Sequence, residues 1–111
     1  MSRTDEADRA GDSIEEDDWP PPAARVRSAV WRAEGHIERA EYAQAAQALA
    51  HVFGLGGDEE LLRGLHHLAA AGRKHQDGQP ERARQQLEHA RRRLGQRRAR
   101  LVKLVELELR S

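Results

Sequence analysis

ELLRGLHHLAAAGRKHQDGQPERARQQLEHARRRL, residues 60–94, decides the fold. Its first half sets Leu61, Leu62, Leu65, Leu68 and Ala69 at the spacings of one helix face. DGQP at residues 77–80 then breaks the pattern with a glycine and a proline, and a proline is pre-set for the first turn of a new helix. Beyond it Ala83, Leu87, Ala90 and Leu94 recur at intervals of four, three and four. The reading is a helical hairpin, with one helix from about Glu59 to Gln76 and a second from Pro80 to Leu94. Gly72 is expected to soften the first helix by about 1 kcal/mol relative to alanine.

Upstream, GLGGD at residues 54–58 supplies glycines to end one helix and an aspartate to cap the next, with Glu59 and Glu60 in the positive first turn. Before it, Tyr42, Ala45, Ala46, Leu49, Val52 and Phe53 form another helical stripe. Earlier still, Val26, Val30, Ala33 and Ile37 share one face of a helix opened by Pro22, with Trp31 beside that face. A shift of 38 residues aligns Ala45 with Ala83, Leu49 with Leu87, Val52 with Ala90 and Val30 with Leu68. Two tandem hairpins of tetratricopeptide-like character result, and Leu49, Leu65 and Leu87 are expected in one shared core. Residues 96–110 add Leu101, Leu104, Val105 and Leu107 and read as a last helix, although VELEL at 105–109 alternates like a strand. The predicted fold is therefore an all-α bundle of four to five helices.

Composition agrees with this. Of 111 residues only Trp19, Trp31, Tyr42 and Phe53 are aromatic, while alanine, leucine and arginine dominate. The absence of cysteine removes disulfides and thiolate metal sites and suits a reducing cytoplasm; 17 arginines against two lysines hint at a GC-rich bacterial genome. The opening residues lack the apolar run of a signal peptide, and no stretch is long enough to span a bilayer. A net charge of zero conceals segregation. Residues 1–22 hold eight acids against two arginines, residues 23–78 hold seven of each sign, and residues 79–111 hold ten bases against four acids. Residues 1–22 are acidic and close on three prolines, so they read as a disordered tail. Residues 23–94 read as the hairpin domain and residues 95–111 as a basic amphipathic helix.

EYAQAAQALAHVF at residues 41–53, taken with residues 60–94, resembles the small bacterial helical family catalogued as domain of unknown function 309. Tyr42 falls at its aromatic position, Arg63, Gly64 and Leu65 at its glycine motif, His75 at its late histidine and Gly78 at its turn. Ala83, Leu87 and Ala90 follow its last helix. Where that family carries acid, histidine, acid, acid and tryptophan, this chain has Gln44, Ala46, Gln47, Ala50 and Phe53. The resemblance implies packed helices, with any polar site on that helix dismantled.

Chemistry-bearing constellations are sparse. No two of His36, His51, His66, His67, His75 and His89 are three or four residues apart, the spacing that puts two ligands on one helix face, so no metal site is expected. A tertiary pair such as His51 with His67 is the alternative. Ser2, Thr4, Ser13, Ser28 and Ser111 are the only hydroxyl nucleophiles besides Tyr42, and GLGGDEELL lacks the lysine of a phosphate loop, so no catalytic residue, cofactor or small-molecule substrate is assigned. The feature above background is the basic run of Arg91, Arg92, Arg93, Arg97, Arg98 and Arg100, continued by the apolar Leu101, Leu104 and Val105. It reads as a contact helix for a protein partner or for self-association. Phosphate-backbone binding to RNA or DNA is the alternative reading, without interleaved aromatics for base stacking.

Overall fold

A computed structural model describes residues 21–111 as five helices: α1 (Pro22–Glu38), α2 (Tyr42–Ala50), α3 (Glu59–Gln76), α4 (Pro80–Leu94) and α5 (Ala99–Arg110). The described residues contain no strand. VELEL is helical because the core takes Leu101 and Val105, four apart, and leaves Leu107 half exposed, whereas a strand would put Val105 and Leu107 on one face. Residues 1–20, which hold nearly all of the expected tail, lie outside the described residues. Pro21 caps α1 and Pro22 is its first residue. Two helices are shorter than their apolar patterns. α2 stops at Ala50, ahead of the left-handed glycines Gly54 and Gly56, and α5 starts at Ala99 after a turn in which Gly95 and Arg98 both have positive φ.

The 38-residue period is built into the backbone. α1 ends at Glu38 and α3 at Gln76, while α2 begins at Tyr42 and α4 at Pro80. Both hairpin turns close in the same way, with two backbone N–H groups returning to the end of the preceding helix. At the first, Glu41 N–H donates to His36 C=O (2.8 Å) and Ala40 N–H to Ile37 C=O (3.0 Å). At the second, Gln79 N–H donates to Lys74 C=O (2.9 Å) and Gly78 N–H to His75 C=O (3.0 Å). This termination needs a left-handed residue, which is Gly78 in one turn and Ala40, at φ 60°, in the other. Gln76 Nε2 donates to Ala40 C=O (3.1 Å), tying the two turns together.

α3 is the central element, packed against the other four helices. Leu62, Leu65, Leu68, Ala69 and Ala71 are fully buried along it, and Leu49, Leu65 and Leu87 belong to one core together with Leu101 and Val105. Two glycines permit its closest approaches. A Cβ at Gly64 would stand 2.6 Å from the Leu94 side chain of α4, and one at Gly72 would stand 2.4 Å from the Tyr42 ring of α2. Gly72 thus makes room for a buried tyrosine, a role that helix propensity alone does not reveal. No described helix is long and apolar enough to cross a membrane.

Two substitutions separate these effects. Gly72→Ala should lower the thermal midpoint by an overpacking cost of about 1–3 kcal/mol, against the gain of about 1 kcal/mol that propensity predicts. Ala40→Gly should raise stability by about 1 kcal/mol, because a left-handed alanine is strained and a glycine is not. Chemical denaturation of both variants checks the opposite signs.

Candidate interaction surface

The arginine run lies at the end of α4, in the turn to α5 and in the first turn of α5, and the fold sets this segment against the acids of α1 and the N-terminus of α3. Arg98 pairs with Glu34, Arg100 with Glu38 (3.1 Å), Arg97 with Asp58 (2.7 Å) and Arg93 with Glu60 (2.7 Å). Arg91 pairs with Glu88 (2.9 Å) and Glu106 (2.8 Å), and Arg92 approaches His89 Nδ1 at 3.3 Å. The segregated charge of the sequence is therefore interleaved in space. Each pair is exposed and individually weak, of the order of 0–1 kcal/mol, so their joint effect is to fix the α4–α5 turn on α1 and α3. Leu101 and Val105 are in the core and offer no outward contact. Leu104 and Leu107 are the apolar residues that α5 turns toward solvent, at 38% and 50% exposure.

The carboxylates record these contacts. Arg97 and the Leu61 N–H, which donates to Oδ1 at 3.1 Å, hold Asp58 below its ordinary value while it caps α3. Hydrogen bonds from His36 (2.8 Å) and Arg39 (3.1 Å) do the same for Glu41 at the first turn. For Glu106 desolvation acts upward, and Arg110, Arg91 and Lys103 together outweigh it and leave the carboxyl lowered.

The histidines are divided among packing roles. His66 meets the Phe53 ring edge-on at 5.5 Å, with Arg63 over the same ring at 5.3 Å; burial, aided by His67 and Arg63, lowers its pKa. His67 does not meet His51. Its ring lies 5.1 Å from that of His89 across α3 and α4, and its Nδ1 bonds Gln86 Oε1 at 2.7 Å. Among the described residues no three histidine or carboxylate groups converge on a point that would hold a metal ion.

A different surface carries the apolar opening. Beside α1 runs a groove of about 500 Å³ with Ala23, Val26, Val30 and Leu61 as its floor, the Gly56–Gly57 backbone as one wall and Trp31 at its edge. Trp31 is 75% exposed, the most exposed large apolar side chain among the described residues. Gly57 sits tightly against Val26, where a Cβ would come within 2.8 Å. The acids bordering the groove, Glu34 and Asp58, already face Arg98 and Arg97, whereas Arg27 on the rim has no acidic partner among the described residues. Arg32, on the same helix but outside the lining of this groove, bonds the Ser28 hydroxyl (2.8 Å) and has no carboxylate partner among the described residues. The sequence signal for this surface was a tryptophan one position off an otherwise regular stripe. The groove beside it is walled by Gly56 and Gly57 of the turn at residues 51–57, which no periodicity describes.

Comparison of the chain with protein-family models, with curated proteins and with solved structures finds no match.

Stability should fall in two steps as pH decreases. His66 has a folded pKa below its usual 6.5, so the unfolded chain takes up that proton first; the contribution is whole above 6.5 and is lost as pH drops through the lowered value. Glu41, Asp58 and Glu106 act in the same sense further down, their contribution whole above the ordinary carboxylate range of about 4 to 4.5 and lost as pH falls through their lowered values. Melting curves recorded from pH 7 to 3 should show both steps, the upper one removed by His66→Gln and the lower one reduced by added salt.

Proposed function

We propose that the protein is a non-enzymatic helical interaction module whose contact surface is the groove along α1 with Trp31 at its edge. The observation that carries this is the exposed Trp31, held beside an open apolar floor. Covering such a ring releases about 3 kcal/mol before the ordering costs of binding. The partner chemistry follows from the lining: a short peptide segment with an apolar or aromatic anchor for the floor and a carboxylate for Arg27. The tetratricopeptide-like reading and the resemblance to the domain of unknown function 309 family accord with this, since repeated hairpins commonly present a groove to a peptide; the repeated turn geometry supports the hairpin reading. A reducing bacterial cytoplasm suits a chain without cysteine.

Relative to the contact helix expected from the sequence, the proposal moves the surface from α5 to α1. Of the arginines that would have met a partner or a phosphate backbone, Arg91, Arg93, Arg97, Arg98 and Arg100 are engaged with Glu34, Glu38, Asp58, Glu60, Glu88 and Glu106, and Arg92 lies against His89. Binding of an array of acidic, aromatic-containing peptides and of a generic single-stranded RNA separates the readings. Trp31→Ala should weaken peptide binding at least tenfold, and Arg92→Ala with Arg100→Ala should leave it unchanged, since neither residue nor its partner lines the groove. RNA binding lost in the arginine variant and kept in Trp31→Ala would establish the nucleic-acid reading instead.

A further inference from the structure

We propose that the α1 groove is an interface between two copies of this chain, whose α1 helices pair antiparallel about a two-fold axis between Val30 and Trp31; this rests on the groove being the contact surface. The first argument is position along the helix. Arg27 and Glu34 both line the groove, and Val30 and Trp31 lie between them. Seven residues make nearly two full turns, so Arg27 and Glu34 stand on one line of α1, about 10 Å apart. A two-fold axis through the midpoint of that line exchanges its ends. Arg27 of each copy then faces Glu34 of the other, and the two Trp31 side chains meet beside the two Val30 side chains. The surface thus carries both groups that it calls for, an aromatic anchor and a carboxylate for Arg27.

Bonding capacity supplies the second argument. Arg27 has no acidic partner among the described residues, and Arg98 takes only Oε2 of Glu34, which leaves Oε1 for another donor. Asp58, the other acid at the groove, already uses both oxygens, Oδ2 for Arg97 and Oδ1 for the Leu61 N–H. The groups that one copy leaves uncombined are therefore the two that the symmetry brings together, twice in each interface. Net charge favours the same occupant. Arg27, Arg98, Glu34 and Asp58 sum to zero around the groove, so a polyanion such as RNA gains nothing from this lining, and it would leave the apolar floor uncovered. A second copy brings the same neutral set in reversed order, together with apolar side chains for the floor. A helix face about 25 Å long and 10 Å wide covers less than the roughly 800 Å² per partner of a standard interface, so the dimer is a reversible one in the micromolar range.

The test is sedimentation equilibrium of the full chain and its variants. The unaltered chain should form a dimer with a Kd at or below about 100 μM. Trp31→Ala and Arg27→Glu, both at exposed positions, should each raise that Kd at least tenfold. Glu34→Arg should do the same. In a mixture of Arg27→Glu with Glu34→Arg, each interface between unlike chains regains two pairs of opposite charge, so the mixture should dimerise although neither variant does so alone. Glu34→Arg also gives up the pair with Arg98, so its thermal midpoint is measured first; if its fold is lost, Arg27→Glu and Trp31→Ala decide the matter without it. A dimer that neither Trp31→Ala nor Arg27→Glu weakens overturns the proposal, as does failure of the folded mixture to associate. A chain that stays monomeric up to about 500 μM and still binds array peptides through Trp31 overturns the pairing and leaves the groove reading standing. A chain that stays monomeric and binds none of the peptides overturns both.

Discussion

Helix α3 has to reach four neighbours at once, and it does so at two places by having no side chain. Gly64 lets Leu94 lie on the α3 backbone, and Gly72 leaves a recess filled by the Tyr42 ring. Interiors pack at nearly crystalline density, so a methyl group at either place would displace a helix and not merely a rotamer. The position of α2 on one side and of α4 on the other follows from these contacts. With α4 placed, its C-terminal turn is directed toward α1, and the arginine pairs and the α1 groove take their geometry from that.

The charge pattern shows how little a linear run says about a surface. Six arginines in ten residues look like an extended basic strip, yet their partners Glu34, Glu38, Asp58 and Glu60 come from segments 33 to 64 residues upstream. None of these pairs is strong alone. What they supply is orientation, since a turn bearing Arg97, Arg98 and Arg100 has one placement that satisfies Asp58, Glu34 and Glu38 together. Arg98 adopts a left-handed conformation in that placement, a local strain that the surrounding contacts outweigh.

Local rules carried much of the fold. The stripes of α1, α3 and α4, the Asp58 cap, the turn at Gly78 and the 38-residue register were legible because each depends on neighbours within a turn or two. What the sequence concealed depends on distance. Nothing near Gly72 announces Tyr42, nothing near Arg98 announces Glu34, and the pairing of His67 with His89 needs the crossing of α3 and α4 to be known. Trp31 was visible as a residue beside the apolar face, but the groove it borders needs the Gly56–Gly57 backbone to be brought against α1. The contact residues chosen from α5 divided accordingly: amphipathic period identified Leu101 and Val105 as apolar, and only packing could tell that α1, α3 and α4 cover them.

The ion pairs of Arg98 and Arg100 with Glu34 and Glu38 also join the first and last helices of the described residues. An array of hairpins is extendable in principle, because each unit presents to the next the same face it received from the last. Here the final helix returns to the first, with Arg98 and Arg100 joining residues more than sixty positions apart. Insertion of another hairpin before α5 would carry that helix away from Glu34 and Glu38. Closure of this kind couples the two ends of the described helical body, so that fraying at α1 or at α5 loosens the other.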